Sequence, residues 1–308
     1  MKIKDLIIIG AGPAGMTAGI YAKRSNLNPL IIESKMPGGR VVLTDFVENY
    51  PAFPEGISGQ ELAGLIESQC RNFGVEFENF VKVDLIEKDD NTFKLKTNKG
   101  DFFSKTVIVA TGANPAELGI PGEREFRGRG VSYCATCDGP LFKNKNILVI
   151  GGGDSAVQEA IFLTKFASSV RVVHRRDKLR AKKILQEKAF NNPKIEILWN
   201  SNLLEIKGEN SVERAVILNN KTNQKREIKI DGVFMYVGIK PNSSLVKNLV
   251  ELNEKNSIIT DYKMRTSVPG LFATGDVRNT PLKQIVTANS DGAIAAISAE
   301  EYLEYELR

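Results

Sequence analysis

The sequence predicts an α/β protein built of two Rossmann-like domains, one inserted into the other. Three observations carry this. The glycine run Gly10-Ala11-Gly12-Pro13-Ala14-Gly15 opens the chain after a short apolar stretch. A second run, Gly151-Gly152-Gly153-Asp154-Ser155-Ala156, repeats the arrangement near the middle. Two turn-rich stretches, Gly112-Ala113-Asn114-Pro115 and Gly238-Ile239-Lys240-Pro241-Asn242-Ser243-Ser244, bracket the second run, and such Gly/Pro/Asn clusters punctuate domains. They predict a first domain over 1–114 that resumes over 243–308, with an inserted domain over 115–242.

The elements follow in order. Residues 5–9 read as a buried strand, 14–24 as a helix with apolar positions at helical spacing, and 29–32 as the next strand, ending at Glu33. This is a β-α-β unit with the spacing a dinucleotide requires. Gly10 makes the tight turn, Gly12 lets the backbone approach a pyrophosphate, and Gly15 packs helix on strand. Glu33, about 20 residues on, is placed to accept ribose hydroxyls. Residues 61–71 form an amphipathic helix pattern ending near Cys70, which reads as a small buried apolar residue. Residues 107–110 and Leu271-Phe272-Ala273 are short apolar strands that run into Thr111-Gly112 and Thr274-Gly275-Asp276.

The second unit places strands at 147–150 and 170–173 around a helix at 155–166. Its second strand ends differently. His174-Arg175-Arg176, with Arg180 further on, stand where the first unit has Glu33. A carboxylate there would repel a 2′-phosphate, whereas guanidinium groups bind one through charge-assisted hydrogen bonds. The first site is therefore expected to take a nucleotide with free ribose hydroxyls, and the second to prefer NADP over NAD.

Between the two units lies Cys134-Ala135-Thr136-Cys137-Asp138. Thiols three apart on a helical turn share a face, with Cα atoms near the ~5.5 Å typical of a disulfide. Such a pair can cycle between dithiol and disulfide and exchange with a substrate disulfide. A proton must then reach the leaving sulfur. The only histidine, His174, is already placed elsewhere, so Asp138 is the candidate acid–base group.

Composition narrows the classes. The 308 residues, 42% of them hydrophobic, suit two domains of roughly 100–200 residues each. No apolar run approaches the ~18 residues of a membrane span. Leu6-Ile7-Ile8-Ile9 is too short for a signal segment and runs into the glycine fingerprint, so it reads as a strand. The net charge of +5 comes from scattered Lys and Arg, so no nucleic-acid partner is expected. Three cysteines and one histidine supply no second ligand pair for zinc, and no metal is expected. The odd cysteine count also points to a reducing compartment, the cytoplasm.

Taken together, these residues resemble the low-molecular-weight, bacterial-type thioredoxin reductases over the full length of the chain. The resemblance rests on both glycine runs, Val47-Glu48-Asn49-Tyr50, Ala110-Thr111-Gly112, the Cys134–Asp138 run, His174-Arg175-Arg176 with Arg180, and Gly275-Asp276. It implies an FAD domain and an inserted NADPH domain, each a three-layer ββα sandwich, in a homodimer that reduces thioredoxin. FAD would lie on Gly10, Gly12, Pro13, Ala14, Gly15, Glu33, Gly38, Gly39, Arg40, Asn49, Thr111, Gly112, Gly275, Asp276, Lys283, Gln284 and Ile285. NADPH would take Gly151, Gly153, Asp154, Ser155, His174, Arg175, Arg176, Arg180 and Gly238. Cys134, Cys137 and Asp138 would carry the thiol chemistry, with Cys137 facing the flavin. The family alternates its two domains, and two Pro-containing linkers suit such a hinge. Arg40 stands where the family usually has Gln, Lys283 where it has Arg, and Gln158 where Glu is common. Rival readings are reduction of another thioredoxin-like carrier, a flavin-dependent dithiol oxidase and a non-enzymatic redox sensor. His174, Arg175, Arg176 and Arg180 argue against the oxidase, which has no use for a 2′-phosphate site.

Overall fold

The computed structural model describes residues 3–44 and 46–307. From the first strand the chain runs β1 (Lys4–Ile9), α1 (Pro13–Arg24), β2 (Pro29–Glu33), α2 (Gly59–Asn72), β3 (Glu76–Asn79), β4 (Val83–Asp89), β5 (Thr92–Thr97) and β6 (Gly100–Val109). It then crosses through β7 (Ala113–Pro115) into β8 (Val131–Ser132), α3 (Ala135–Asp138), β9 (Asn146–Ile150), α4 (Asp154–Leu163), β10 (Ser169–Val173) and α5 (Lys183–Phe190). β11 (Ile195–Leu198), β12 (Ser201–Gly208), β13 (Val212–Asn219), β14 (Lys225–Lys229), β15 (Gly232–Met235) and β16 (Ile239–Pro241) follow, and β17 (Leu271–Ala273) and α6 (Ile285–Glu301) close the chain.

The chain divides into two compact units, Met1–Asn114 with Lys240–Arg308, and Pro115–Ile239. The return crossing thus falls before the expected residue 242. Asn242 is held in the first unit: its Nδ2 donates to Thr111 O at 2.8 Å, and its carbonyl accepts from Thr111 Oγ1 at 2.8 Å. The two crossing strands, β7 and β16, pair with each other.

In the first unit a parallel sheet runs β3-β2-β1-β6, with β17 parallel to β6 on its other side. β6 serves two layers. Residues 104–109 pair parallel with β1, and residues 100–104 pair antiparallel with β5. The antiparallel β4–β5–β6 meander thereby lies over one face of the parallel sheet, and the helices lie over the other. Side-chain alternation explains why the strands read as continuous apolar runs. Leu6, Ile8, Ile31, Ile108 and Phe272 pack toward the helices. Ile7, Ile9, Leu30, Ile32, Val107 and Val109 pack toward Phe93 and Leu95 of the meander. A strand covered on both faces needs an apolar residue at every position, and each full burial contributes about 1.5–3 kcal/mol. Gly292 of α6 lets that helix approach α1, because a Cβ there would stand 2.2 Å from Ala14 O.

The second unit repeats the plan. Its parallel sheet runs β11-β10-β9-β15-β8, and the antiparallel β12-β13-β14 layer is a separate sheet. Leu148, Ile150, Val173 and Met235 face that layer, while Ile147, Val149, Val172 and Phe234 face the helix side with Ala156, Ala160 and Leu163. Both units are ββα three-layer folds. The helix expected over 155–166 ends at Leu163, where the chain tightens: the Phe166 and Ala167 amides both donate to Leu163 O. No helix is long and apolar enough, among the described residues, to cross a membrane.

Candidate active site

In the first unit the turn from β1 into α1 is set by glycine. Gly10 has φ +108°, and a Cβ on Gly15 would stand 1.9 Å from Gly10 O, so helix and strand touch through backbone alone. α1 begins with Gly12 as its N-cap and Pro13 in its first turn, with no side-chain cap and no acidic residue in that turn. Its first N–H groups and its dipole are left to attract an anion. Gly39 faces Gly12 so closely that a Cβ on Gly39 would meet Gly12 Cα at 3.0 Å, while Gly12 itself has no neighbour nearer than 4.0 Å to its own Cβ position. The cradle that a side chain at Gly12 would fill is therefore open. Gly38 donates its N–H to Ala11 O at 2.7 Å. Glu33 ends β2 and uses its carboxylate locally: Oε2 accepts from Ala11 N and Oε1 from Lys35 N, each at 2.8 Å.

A second group of expected residues gathers where β17 meets α6. Asn49 Nδ2 donates to Gln284 Oε1 at 3.1 Å, and Gln284 caps α6 reciprocally with Thr287. Ile285 is the first residue of that helix. Lys283 Nζ donates to the Asp276 carbonyl. Burial raises the Asp276 carboxyl above its ordinary range, opposed by Lys283 and Arg40, and burial lowers the Lys283 ammonium, opposed by Asp276. Arg40 also donates to Ala113 O at 3.3 Å. Thr111 and Gly112 lie at the end of β6 and bond Asn242. Thr274, just before Gly275-Asp276, has a buried hydroxyl without a partner.

The sequence reading missed Arg278 and Asp291. They form a 2.9 Å ion pair, each side chain 11% exposed, and Asp291 also accepts from Gly275 N at 3.2 Å. The pair thus braces the turn that carries Asp276. Asp291, the single charged residue between Ile285 and Ala299, was the available signal.

In the second unit β9 leads into α4 in the same way. Gly153 is the N-cap, and nothing lies within 4 Å of its Cβ position. Asp154 sits in the first helical turn and accepts from Lys182 N at 2.7 Å, and Arg180 N donates to Gly152 O at 2.7 Å. These bonds tie the arginine-bearing loop to the glycine loop. Arg175, Arg176, Arg180 and Ser155 are exposed. His174 is not: it is 4% exposed, with its Nε2 3.0 Å from Lys178 O. Its ring fills the space where a Cβ on Gly152 would be, 2.2 Å from Nδ1. Trp199 meets the ring edge-on at 6.5 Å. Burial lowers the imidazole pKa below 6.5, opposed by the Lys178 carbonyl and assisted by the neighbouring arginines. Gly238 stands at the return crossing, φ +138°, and accepts from Ala116 N.

The same unit carries the thiols. Cys134 and Cys137 are joined as a disulfide, with Cα atoms 5.3 Å apart. Cys134 is the N-cap of α3, and its Sγ accepts from Cys137 N at 3.2 Å. The Tyr236 hydroxyl, missed from sequence, accepts from Ala135 N at 2.6 Å. Asp138 accepts from Ser132 Oγ, and Ser132 Oγ accepts from Cys134 N at 3.1 Å. Cys70, the remaining cysteine, is fully buried in α2; burial pushes its thiol up to about 12, and its Sγ donates to Met16 O at 3.4 Å.

Two glycine-opened ββα units and a Cys134–Cys137 disulfide thus lie in one chain. The sequence matches the pyridine nucleotide-disulphide oxidoreductase family over residues 4–292. The chain belongs to that family. A thioredoxin reductase of Bacillus subtilis is 48% identical to this oxidoreductase over 305 residues, covering 98% of this chain and 96% of the relative. One of Peptoclostridium litorale is 47% identical, covering 98% of each. The crystal structure of thioredoxin reductase from Streptococcus pyogenes superposes with a TM-score of 0.92 at 49% identity over 98% of both chains. This pyridine nucleotide-disulphide oxidoreductase is accordingly similar to low-molecular-weight thioredoxin reductases in sequence and in fold.

Proposed function

We propose that this oxidoreductase uses NADPH and FAD to reduce the disulfide of thioredoxin, as a cytoplasmic homodimer. The observation that carries the reading is the Cys134–Cys137 disulfide in the same unit as an arginine-ended dinucleotide turn. The open cradle at Gly12 and the uncapped α1 suit the pyrophosphate of FAD, and Glu33 at the end of β2 suits its ribose. The buried Thr274 hydroxyl without a partner and the half-buried Asp276 offer further polar groups beside that unit's strand ends. Gly153 and the α4 N-terminus suit the NADPH pyrophosphate, and Arg175, Arg176 and Arg180 suit its 2′-phosphate. The bound flavin would supply two-electron chemistry between nicotinamide and sulfur.

The protein's own part is thiol exchange. Once reduced, one cysteine attacks the partner disulfide as a thiolate, forming a mixed disulfide and releasing one partner sulfur. The second cysteine then attacks the mixed disulfide, reforming Cys134–Cys137 and releasing the other. Two electrons reach the partner and each released sulfur takes a proton, for which Asp138 is the nearest acid–base side chain in the sequence. Backbone N–H donation to Cys134 Sγ favours a thiolate there. Leu282, Val286, Ile294 and Ile297 expose apolar side chains along or beside one stripe of α6, which supports self-association.

The test is the anaerobic oxidation of NADPH, followed by its near-ultraviolet absorbance, with and without oxidised thioredoxin. Thioredoxin-dependent oxidation is the expected result. A flavin bleached by NADPH without transfer to thioredoxin would refute the partner; an unbleached flavin would refute the NADPH site.

A further inference from the structure

Ser132 lies two residues before Cys134 and has no role in the thiol exchange above. It ends β8, is 5% exposed, and is pinned by strand pairing opposite Phe234. Three groups meet at its hydroxyl. The Cys134 N–H donates to Oγ at 3.1 Å, the Asp138 carboxylate lies 2.5 Å away through Oδ2, and the Cys134 carbonyl lies 3.3 Å away. A hydroxyl has one hydrogen and two lone pairs. With one lone pair taken by Cys134 N–H, its hydrogen has two acceptors within reach.

We propose that Ser132 is the positioning residue of the Asp138 acid–base group, its hydrogen turning between Asp138 and the Cys134 carbonyl as Asp138 loses and gains a proton. The inference rests on the reading that Asp138 handles the proton of thiol exchange. An ionised Asp138 is the stronger acceptor and takes the serine hydrogen. A protonated Asp138 becomes a donor; it can give its hydrogen to Oγ while the serine hydrogen turns to the Cys134 carbonyl. Both states are satisfied by rotation of one hydroxyl, with no heavy atom displaced, so no buried polar group is orphaned in either. The same oxygen holds the backbone of Cys134, so carboxyl and sulfur keep one spacing through the cycle. Tyr236, bonded to Ala135 N at 2.6 Å, holds the next residue of the helix from just past the end of β15. Groups fixed by packed strands hold a reacting geometry better than groups on loops.

The experiment compares Ser132→Ala, Ser132→Thr, Ser132→Val and Asp138→Asn in the full-length protein. Thr and Val are isosteric, so that pair isolates the hydroxyl even if Ala proves unstable. One readout needs neither NADPH nor thioredoxin: the protein is reduced with dithiothreitol, freed of it, and its exchange with a small aromatic disulfide is followed across pH. The other is NADPH–thioredoxin turnover. A lost donor disfavours the ionised carboxyl, so Ala and Val variants should lose about tenfold in exchange and move the limb that Asp138→Asn abolishes upward by ~0.5 pH or more. Thr should restore both, and Ser132→Ala should add nothing to Asp138→Asn. An unmoved limb in both hydroxyl-free variants would leave Ser132 a merely structural residue, and so would effects that add to those of Asp138→Asn. A wild-type profile in Asp138→Asn would overturn the inference outright. A moved limb in exchange without any NADPH–thioredoxin turnover would uphold it and sink the functional reading instead.

Discussion

The two dinucleotide turns of this molecule are built alike and finished differently. In each, the second residue of the glycine run is held by an N–H from the loop after the second strand, Gly38 to Ala11 O and Arg180 to Gly152 O, both at 2.7 Å. In each, the run's first N–H bonds the last apolar residue of that strand, Ile32 or Val173. The next residue is Glu33 in one unit and His174 in the other. Glu33 puts its carboxylate on the glycine loop, bonding Ala11 N. His174 lays its ring beneath Gly152 and bonds the Lys178 carbonyl. The carboxylate stands against the glycine loop at the end of its strand, whereas the imidazole packs under Gly152 and bonds the loop that carries the arginines. The same backbone device thus presents an acceptor in one unit and exposed cations in the other.

The sharpest break in the comparison is the Cys134–Cys137 pair, which lies in the second unit alone. Cys137→Ser should lower thioredoxin-linked turnover on the order of 10³-fold or more, while NADPH still bleaches the flavin in a stopped-flow trace. Retained turnover would refute the dithiol path. The next tests the packing of the turns. Gly15→Ala places a Cβ 1.9 Å from Gly10 O and should cost about 3 kcal/mol by urea unfolding, with loss of bound flavin. The counterpart in the second unit is already Ala156, so Ala156→Gly should cost only about 1 kcal/mol. Equal costs would mean the two turns do not pack differently.

Removing the cations comes third. Arg175→Ala with Arg176→Ala should raise the KM for NADPH about tenfold to a hundredfold and leave that for NADH nearly unchanged. An equal rise for both nucleotides would refute a 2′-phosphate role. The smallest effect concerns His174. Its folded pKa lies below 6.5 because burial disfavours the charged ring. The unfolded chain therefore binds the proton more readily as pH falls, and the stability held above the unfolded value is lost on acidification. Wild type should lose under about 1 kcal/mol more than His174→Gln between about pH 7.5 and about pH 5.5. A wild type no more acid-sensitive than the variant would place a charged imidazole in the folded state.

The central parallel strands at 4–9, 29–33, 146–150 and 169–173 were legible because burial on both faces favours apolar runs. The parallel strands Glu76–Asn79, Val131–Ser132, Ile195–Leu198 and Gly232–Met235 were not read. The glycine runs were legible because a Cβ at Gly10, Gly15, Gly151 or Gly152 would strike its neighbours. The antiparallel layers were not read from residues. Val83–Asp89 and Lys225–Lys229 mix charge with isolated apolar residues, and only the family resemblance implied three layers. His174 was placed on the phosphate from its neighbours; nothing in the sequence tells a ring that points into the fold from one that points out. Tyr236 was missed because it acts across elements, bonding Ala135 far away along the chain. Asp291 and Ser132 were missed because a lone acid or serine does not show which way its side chain turns. Cys70 was read correctly, since one small residue on an amphipathic helix has few other uses.

The edge-on pair of His174 and Trp199 is formed by the only histidine and the only tryptophan in the chain. Indole emission therefore arises from one address, beside the loop that carries the arginines. A fluorescence titration of the unlabelled protein would follow that address alone, reading the ring's charge as pH changes and the loop's occupancy as nucleotide is added.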